Sequence, residues 1–296
     1  MYDIDDNFYN YADDNTIAVI GNNVQCTLEK LKVNAETCMS WFTSNRMKAN
    51  PEKFQLMVLD RNSGNVQESL TLDDVVLHSV SEVKLLGITI DAKLSFNSQV
   101  NALCKKAGKN INILKRLSNR ISHEIDRKAL MKAFVFSSFT YCPLLWHFCN
   151  VTMTKRLDKI YYRGLRFVLN DSNYSLDYET LLVRTNCEKL TLWRLKKMAI
   201  FMYKCYYDIS PKYLNKLAVP KTISHGLRDK CLVSVRRYNT VQYGYKSLMY
   251  AGCKLWNSLP CIWKEADDVK TFSNYLSRWK CNCYDCYMCN SFMYHT

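Results

Sequence analysis

The spacing of apolar residues changes near residue 97 of this 296-residue chain. Before that point, short runs of aromatic and β-branched residues alternate with turn residues around one amphipathic stretch. After it, apolar residues recur every three or four positions, the period of a helix packed on one face. The sequence therefore predicts an α+β protein with a strand-containing first part and a mostly helical remainder.

The first part opens with a predicted β-hairpin. Residues 8–10 and 16–20 have strand character, and Tyr11-Ala12-Asp13-Asp14 lies between them with turn-forming residues. Two adjacent carboxylates are therefore expected at the tip. Mg²⁺ prefers carboxylate oxygens, so the tip is a candidate metal site of a nucleotidyl-transfer enzyme.

An amphipathic helix is predicted after the hairpin, over residues 24–46, with Asn22 or Asn23 capping its start. Gly64 lies in a predicted turn. Strands are predicted at three further segments of the first part: 54–59, 74–78 and 83–90.

The second part is predicted to consist mainly of helices, at 98–121, 125–148, 153–169, 188–208, 212–218, 246–257 and 268–279. Pro143 is expected to kink or end the second helix. A β-favouring stretch at 231–235 separates two of the later helices. No internal repeat or low-complexity linker is visible, so the boundary near residue 96 is a change of structural class.

The composition indicates a folded protein, since 48% of the residues are hydrophobic and 13% are aromatic. No apolar run approaches the ~20 residues of a membrane span, and the N-terminus lacks a signal-peptide pattern. We therefore expect an intracellular protein, nuclear or cytoplasmic, that is not secreted and has no membrane partner. In that environment the 14 cysteines are expected to be reduced thiols or metal ligands.

The net charge of +14 is unevenly distributed. Residues 1–96 hold 8 Lys and Arg against 14 Asp and Glu, whereas residues 97–170 hold 14 against 3 and residues 171–296 hold 19 against 10. An acidic head followed by a basic body favours a polyanion as partner, and nucleic acid is the common one. The alternative is a set of basic helices whose charges only face solvent.

Five ordered motifs carry a family resemblance: YADD at 11–14, WFTSNRMKANPEK at 41–53, VKLLGI at 83–88 with Asp91 and LSF at 94–96, SSFTYCPLLWH at 137–147 followed by RGLR at 163–166, and LWNSLP at 255–260. In these motifs the chain resembles the C-terminal part of a non-LTR (LINE-type, jockey-like) retrotransposon reverse transcriptase. The resemblance extends over essentially the whole chain.

The resemblance implies four segments. Residues 1–96 would be the C-terminal part of a polymerase palm, and residues 97–170 would be thumb-like basic helices. Residues 171–280 would form a helical C-terminal region, and residues 281–296 a Cys-rich tail. The implied partners are an RNA template and a DNA primer, and the implied reaction is RNA-directed DNA synthesis with Mg²⁺.

The resemblance also assigns roles to residues of the palm segment. Asp13 would bind the catalytic Mg²⁺ ions, with Asp14 beside it in support. Lys53 matches a lysine that lies near the phosphates of the incoming nucleotide, where a cation offsets charge on the leaving pyrophosphate. Leu86 and Gly87 match the primer-grip hairpin, in which glycine allows the primer to approach the backbone closely.

The sequence departs from the family in one respect. A working palm needs another metal-binding aspartate on a separate strand well before YADD, together with the fingers. Asp3, Asp5 and Asp6 are too close to Tyr11 to supply it. We therefore expect a fragment of an RNA-directed DNA polymerase that is inactive on its own. The alternative is a non-catalytic nucleic-acid-binding or scaffold protein derived from such an element.

Basic residues on the predicted thumb helices are candidates for phosphate contacts: Lys105, Lys106, Lys109, Lys115, Arg116, Arg163 and Arg166. Such contacts would be indifferent to base sequence and sensitive to salt. Charged faces of this kind also occur on helices that bind nothing, because an apolar stripe such as Ile111 and Leu114 needs only a polar face opposite.

The C-terminal tail contains a cluster of four cysteines, Cys281, Cys283, Cys286 and Cys289. Thiolates at this density could hold one Zn²⁺, although the spacing is tighter than in ordinary zinc ribbons. A loosely folded cysteine-rich tail is the alternative. Trp146, His147, Trp193 and Trp256 have apolar neighbours and are therefore predicted to be core residues.

Overall fold

The computed structural model describes residues 8–59, 68–171, 174–221 and 231–279. The chain forms two compact units, Met1–Gln99 and Val100–Thr296. The described residues combine helices with three small antiparallel sheets, which confirms the predicted α+β class. The palm, thumb and tail assignments remain predictions, and Gly64 and the four tail cysteines lie outside the described residues.

The described part of the first unit contains three separate two-stranded sheets of four-residue strands. Each is an antiparallel pair joined by a two-residue turn: β1 (Phe8–Tyr11) with β2 (Asp14–Ile17), β3 (Ser69–Leu72) with β4 (Val75–His78), and β5 (Glu82–Leu85) with β6 (Ile88–Asp91). The predicted hairpin around Tyr11 is therefore confirmed. Isolated hairpins are marginally stable in water, so these sheets depend on packing against other elements.

Helix α1 (Val24–Ser44) supplies that packing for β2 and β3. Asn23 caps it, and its Oδ1 accepts hydrogen bonds from the backbone N–H of Gln25 at 2.8 Å and of Cys26 at 3.4 Å. This confirms the predicted helix and one of its two candidate caps. Leu28 of α1 is buried in a small cluster with Leu56 and Leu70.

Two strand predictions in the first unit are wrong. The segment 54–59 forms no strand, and its pairing is a single bridge between Leu56 and Ser79. Its apolar run resembled a buried strand, but only Leu56 in it is fully buried. The segment 83–90 is two strands, because Leu86 and Gly87 adopt left-handed backbone conformations, with φ of 46° and 83°, that reverse the chain.

From Asn97 onward the described chain is helical, with the elements α2 (Asn97–Arg116), α3 (Glu124–Met131), α4 (Ser137–Thr140), α5 (Val151–Leu169), α6 (Tyr178–Thr185), α7 (Leu190–Tyr206), α8 (Lys212–Asn215), α9 (Leu248–Ser258), α10 (Cys261–Lys264) and α11 (Val269–Arg278). Six of the seven predicted helices match these elements within a few residues. Helices α6 and α10 were not predicted.

The predicted helix at 125–148 is broken. A π-helical turn (Lys132–Phe136) separates α3 from α4, and the helix ends at Thr140. Tyr141 is extended and Cys142 has φ of 45°, so the chain has left the helix before Pro143. This agrees with the expected effect of proline, which disfavours helical backbone in the residue before it.

The second unit has a large core around Trp256, which is fully buried. Its indole Nε1–H donates to the carbonyl of Cys231 at 2.7 Å. The neighbouring Asn257 donates to the carbonyl of Val233 and accepts from its N–H, both at 2.9 Å. The LWNSLP motif therefore fixes the stretch at 231–233, which forms only a single bridge with Pro220.

The predicted core positions of Trp146, His147 and Trp256 are confirmed, because all three are buried. Trp193 is half-buried, with the Lys197 ammonium 5.5 Å from its ring centre. Within the described residues, no helix is both long and apolar enough to cross a membrane.

Candidate nucleic-acid interface

The hairpin of β1 and β2 presents Asp13 and Asp14 at an exposed tip. Tyr11 pairs with Asp14, so Ala12 and Asp13 form the two-residue turn. Ala12 has φ of 53°, a left-handed conformation that glycine adopts more readily. The turn is held in part by the Asn15 side-chain amide, which donates to the Asp13 carbonyl at 3.3 Å.

The donor set at this tip suits a hard cation only in part. Two adjacent carboxylates supply the oxygens that Mg²⁺ prefers. Within the described residues, however, no group of three or more His, Cys, Asp or Glu side chains is placed to hold a metal ion. Asp13 and Asp14 could therefore contribute to a magnesium site but do not by themselves enclose two ions.

Lys53 ends a short 3₁₀ turn (Pro51–Lys53) that Asn50 caps by accepting the Glu52 N–H at 3.1 Å. Its side chain is exposed. No ion pair among the described residues joins Lys53 to Asp13 or Asp14. The structure thus positions this lysine on the surface of the first unit without linking it to the carboxylates.

Leu86 and Gly87 form the turn between β5 and β6, with Leu86 partly exposed at the tip. The adjoining DAKLSF stretch is organised by Asp91, whose carboxylate accepts the backbone N–H groups of Lys93, Ser95 and Phe96 at 3.2, 3.0 and 2.6 Å. These bonds hold a loop in which Leu94 and Phe96 have positive φ. Asp91 therefore has a structural role.

A basic groove lies in the second unit between α2 and α5, with a volume of about 510 Å³. Four of the predicted phosphate-binding residues line it: Lys105, Lys109, Arg116 and Arg163. The first three belong to one face of α2, because residues four and seven positions apart project from the same side of a helix. None of the described residues that line this groove is acidic.

The α2 face gives the groove a length suited to a polyanion. Lys105 and Arg116 are eleven residues apart, which corresponds to roughly 16 Å along a helix. One strand of a duplex carries a phosphate about every 3.4 Å of axis, so this span equals several such spacings. No carboxylate of the described residues forms an ion pair with Lys105, Lys109 or Arg116.

Arg163 reaches the groove from α5 in a fixed orientation. Its Nη2 donates to Asn112 Oδ1 at 3.0 Å, and an Arg156 Nη1 likewise donates to Asn101 Oδ1. Two arginines of α5 are thus tied to two asparagines of α2. The sequence analysis did not single out Asn112, although its position seven residues after Lys105 on the same helical face was a usable signal.

Two glycines show how closely the elements around the groove pack. A Cβ at Gly108 would lie 3.7 Å from Ile160 Cδ1, an ordinary contact, whereas a Cβ at Gly164 would lie 2.2 Å from Met131 Cε.

Cys104 also lines the groove, and burial raises the pKa of its thiol to about 11. The thiol is therefore neutral and adds no negative charge.

The remaining predicted residues lie elsewhere. Lys106 and Lys115 are exposed on α2 but do not line the groove. Arg166 binds within the chain: its Nη2 donates to the Leu176 carbonyl at 3.1 Å, its Nε lies 3.5 Å from Asp171 Oδ2, and its guanidinium lies 4.8 Å from the Tyr174 ring centre. Arg166 thus fixes the segment after α5.

Comparison with protein-family models, with curated proteins and with solved structures finds no match to this chain.

Proposed function

We propose that this chain binds nucleic acid through the groove between α2 and α5, as the thumb of a non-LTR retrotransposon reverse transcriptase would. The observation that carries the proposal is the convergence of Lys105, Lys109, Arg116 and Arg163 on one groove without an acidic lining residue. Four cations in one concave surface attract phosphates and release the counterions condensed on them.

The charged and amide groups among the described residues that line the groove are the four cations and Asn112, whose oxygen accepts a hydrogen bond from Arg163. Contacts from lysine and arginine to phosphates position a strand but carry no sequence information. The proposed ligand is therefore a nucleic-acid duplex of any sequence, such as an RNA template paired with a DNA primer.

The test is binding of a labelled RNA–DNA duplex to the full chain, followed by fluorescence anisotropy at several salt concentrations. The double variant Lys105→Gln/Lys109→Gln removes two groove cations. We expect it to weaken binding and to reduce the slope of log K against log salt by about 2, because each phosphate contact contributes about 0.9.

The matched control is Lys106→Gln/Lys115→Gln, which removes the same charge from the same helix outside the groove. It should reduce the slope by well under half as much. Equal losses in the two double variants would mean that general charge, and not the groove, attracts the duplex. Binding that does not change with salt would also contradict the proposal.

A second candidate function, Mg²⁺-dependent primer extension, rests on the paired carboxylates at the hairpin tip. Asp13 and Asp14 would hold Mg²⁺, which supplies charge stabilisation at the transferred phosphate when bound. The test compares extension by the full chain and by Asp13→Asn. Extension that Asp13→Asn abolishes would assign the reaction to this chain. Duplex binding without extension would favour the non-catalytic alternative.

A further inference from the structure

A second, smaller basic pocket lies in the second unit and shares no residue with the α2–α5 groove. Lys216 reaches it from the turn after α8, Ser234 and Arg236 from the stretch after residue 231, and Cys253 from α9. Its volume is about 150 Å³. None of these residues was identified from the sequence as a candidate for binding.

The surroundings of this pocket carry one sign of charge. Residues 209–221 and 231–258 contain seven Lys and Arg and no Asp or Glu. Burial raises the pKa of the Cys253 thiol to about 11, so the thiol is neutral. Lys216 and Arg236 therefore face the same small space with no acidic group among the described lining residues, and an anion bound there would relieve their repulsion.

The backbone that carries these side chains is fixed by hydrogen bonds. The Ser234 N–H donates to the Val219 carbonyl at 2.9 Å, and Asn257 bonds both backbone groups of Val233. On the other wall, the Cys253 thiol donates to the Leu217 carbonyl at 3.2 Å. Ser234 thus projects from a backbone that is already fixed, which lowers the entropic cost of binding at this side chain.

We propose that this pocket binds a single phosphate group, held by Lys216, Arg236 and the hydroxyl of Ser234. Its volume equals that of about five water molecules at roughly 30 Å³ each. Sites for drug-sized ligands begin at about 300 Å³, so this pocket is sized for one small anionic group. The phosphate is either free or part of a nucleic-acid strand that continues outside the pocket.

The test measures stabilisation of the full chain against heat by inorganic phosphate, with chloride at equal ionic strength as reference. Wild-type protein should show a saturable, phosphate-specific rise in Tm. Arg236→Gln should weaken the apparent affinity for phosphate by about tenfold, since hydrogen bonds between charged groups typically contribute on this scale. Ser234→Ala should give a smaller loss.

The matched control is Arg237→Gln, which makes the same charge change one residue away and outside the pocket. It should leave phosphate affinity within about twofold of wild type. Equal losses in Arg236→Gln and Arg237→Gln, or a Tm rise that chloride reproduces, would overturn the proposal. Near-ultraviolet circular dichroism of each variant checks that the core around Trp256 is intact.

Two further measurements separate the sources of the phosphate. If a strand supplies it, Arg236→Gln also weakens duplex binding, and saturating phosphate competes with the duplex beyond its ionic-strength effect. If free phosphate is the ligand, duplex affinity is unchanged in this variant. Lys105→Gln/Lys109→Gln should leave phosphate binding unchanged in either case, so failure of the α2–α5 groove would not remove this pocket.

Discussion

The two units differ sharply in how much core they have. In the first unit, α1, the β3–β4 sheet and the segment 54–59 share a small cluster of Leu28, Leu56 and Leu70. In the second unit, α7, α9 and α11 surround an extensive cluster that includes Trp256, Tyr203 and Phe272. The carboxylate hairpin thus belongs to the unit with little core, and both basic pockets belong to the unit with much.

This difference in core size indicates how firmly each unit can hold the side chains of its candidate site. A phosphate contact tolerates small displacements, whereas a two-metal site needs its ligands held to within about 0.5 Å. Among the described residues, the hairpin β1–β2 is positioned mainly by its own ladder and by a few contacts with α1. We expect the first unit to unfold at lower denaturant concentration than the second.

The largest effect is expected from Trp256→Ala. The change removes a fully buried ring and its hydrogen bond to Cys231, so it should destabilise the second unit by about 3–5 kcal/mol. Urea unfolding followed by far-ultraviolet circular dichroism measures the loss. Leu28→Ala should instead lower the first transition of the same unfolding curve. A single transition shifted by both variants would contradict the comparison.

Arg194 carries a charge that is buried in the second unit. It is 1% exposed, its guanidinium lies 5.3 Å from the Trp146 ring centre, and its Nε and Nη1 have no hydrogen-bond partner within the described residues. Burial raises the pKa of Asp158, and the attraction of Arg194 acts in the opposite direction. Arg194→Met should therefore raise that pKa further and lower the stability of the fold at pH 7.

The pH dependence separates this mechanism from lost packing. A carboxyl whose folded-state pKa is raised destabilises the fold at high pH, and the penalty decreases as pH falls and the group is protonated. The deficit of Arg194→Met should shrink between pH 7 and pH 4. In the double variant with Asp158→Asn, most of the loss should be recovered at pH 7. A deficit independent of pH would indicate packing alone.

Alanine substitutions at two glycines on facing helices of the second unit are expected to change the free energy of unfolding in opposite directions. Gly164→Ala places a methyl group against the fully buried Met131 and should destabilise by about 1–2 kcal/mol. Gly108→Ala has room and should stabilise α2 by up to about 1 kcal/mol. Thermal unfolding of both variants checks the difference, and a loss in Gly108→Ala would show that α2 and α5 pack more tightly than observed.

The smallest effects are expected at the turns of the first unit. Ala12→Gly relieves a left-handed backbone conformation and should stabilise the hairpin by up to about 1 kcal/mol. Gly87→Ala introduces the same strain and should destabilise by a similar amount. Urea unfolding followed by far-ultraviolet circular dichroism measures both changes. If neither variant shifts the first transition, the hairpins fold independently of the rest of that unit.

Much of the fold followed from the sequence where the local signal was strong. The α1 helix and its Asn23 cap, and the hairpin around Tyr11, were predicted from periodicity and turn residues alone. The strand predictions at 54–59 and 83–90 were wrong for two related reasons. An apolar run identifies a segment that packs, but strand pairing depends on a partner, and Gly87 reverses the chain within the run.

For the candidate sites, too, the sequence identified residues but not how packing arranges them. The sequence identified the cations of α2 and α5, but it gave equal weight to Lys105 and Lys106, and to Arg163 and Arg166. Only packing separates them. Arg163 donates a hydrogen bond to Asn112 and lines the groove. Arg166 instead donates to the Leu176 carbonyl and forms an ion pair with Asp171.

The sequence by itself determined the α+β class, the change of character near residue 97, and the positions of most helices, because these depend on local periodicity and charge. Tertiary structure alone decided which cations share a groove, and that Lys216 and Arg236, twenty residues apart, face one pocket. Such convergence results from side-chain packing between distant segments. No local pattern encodes it.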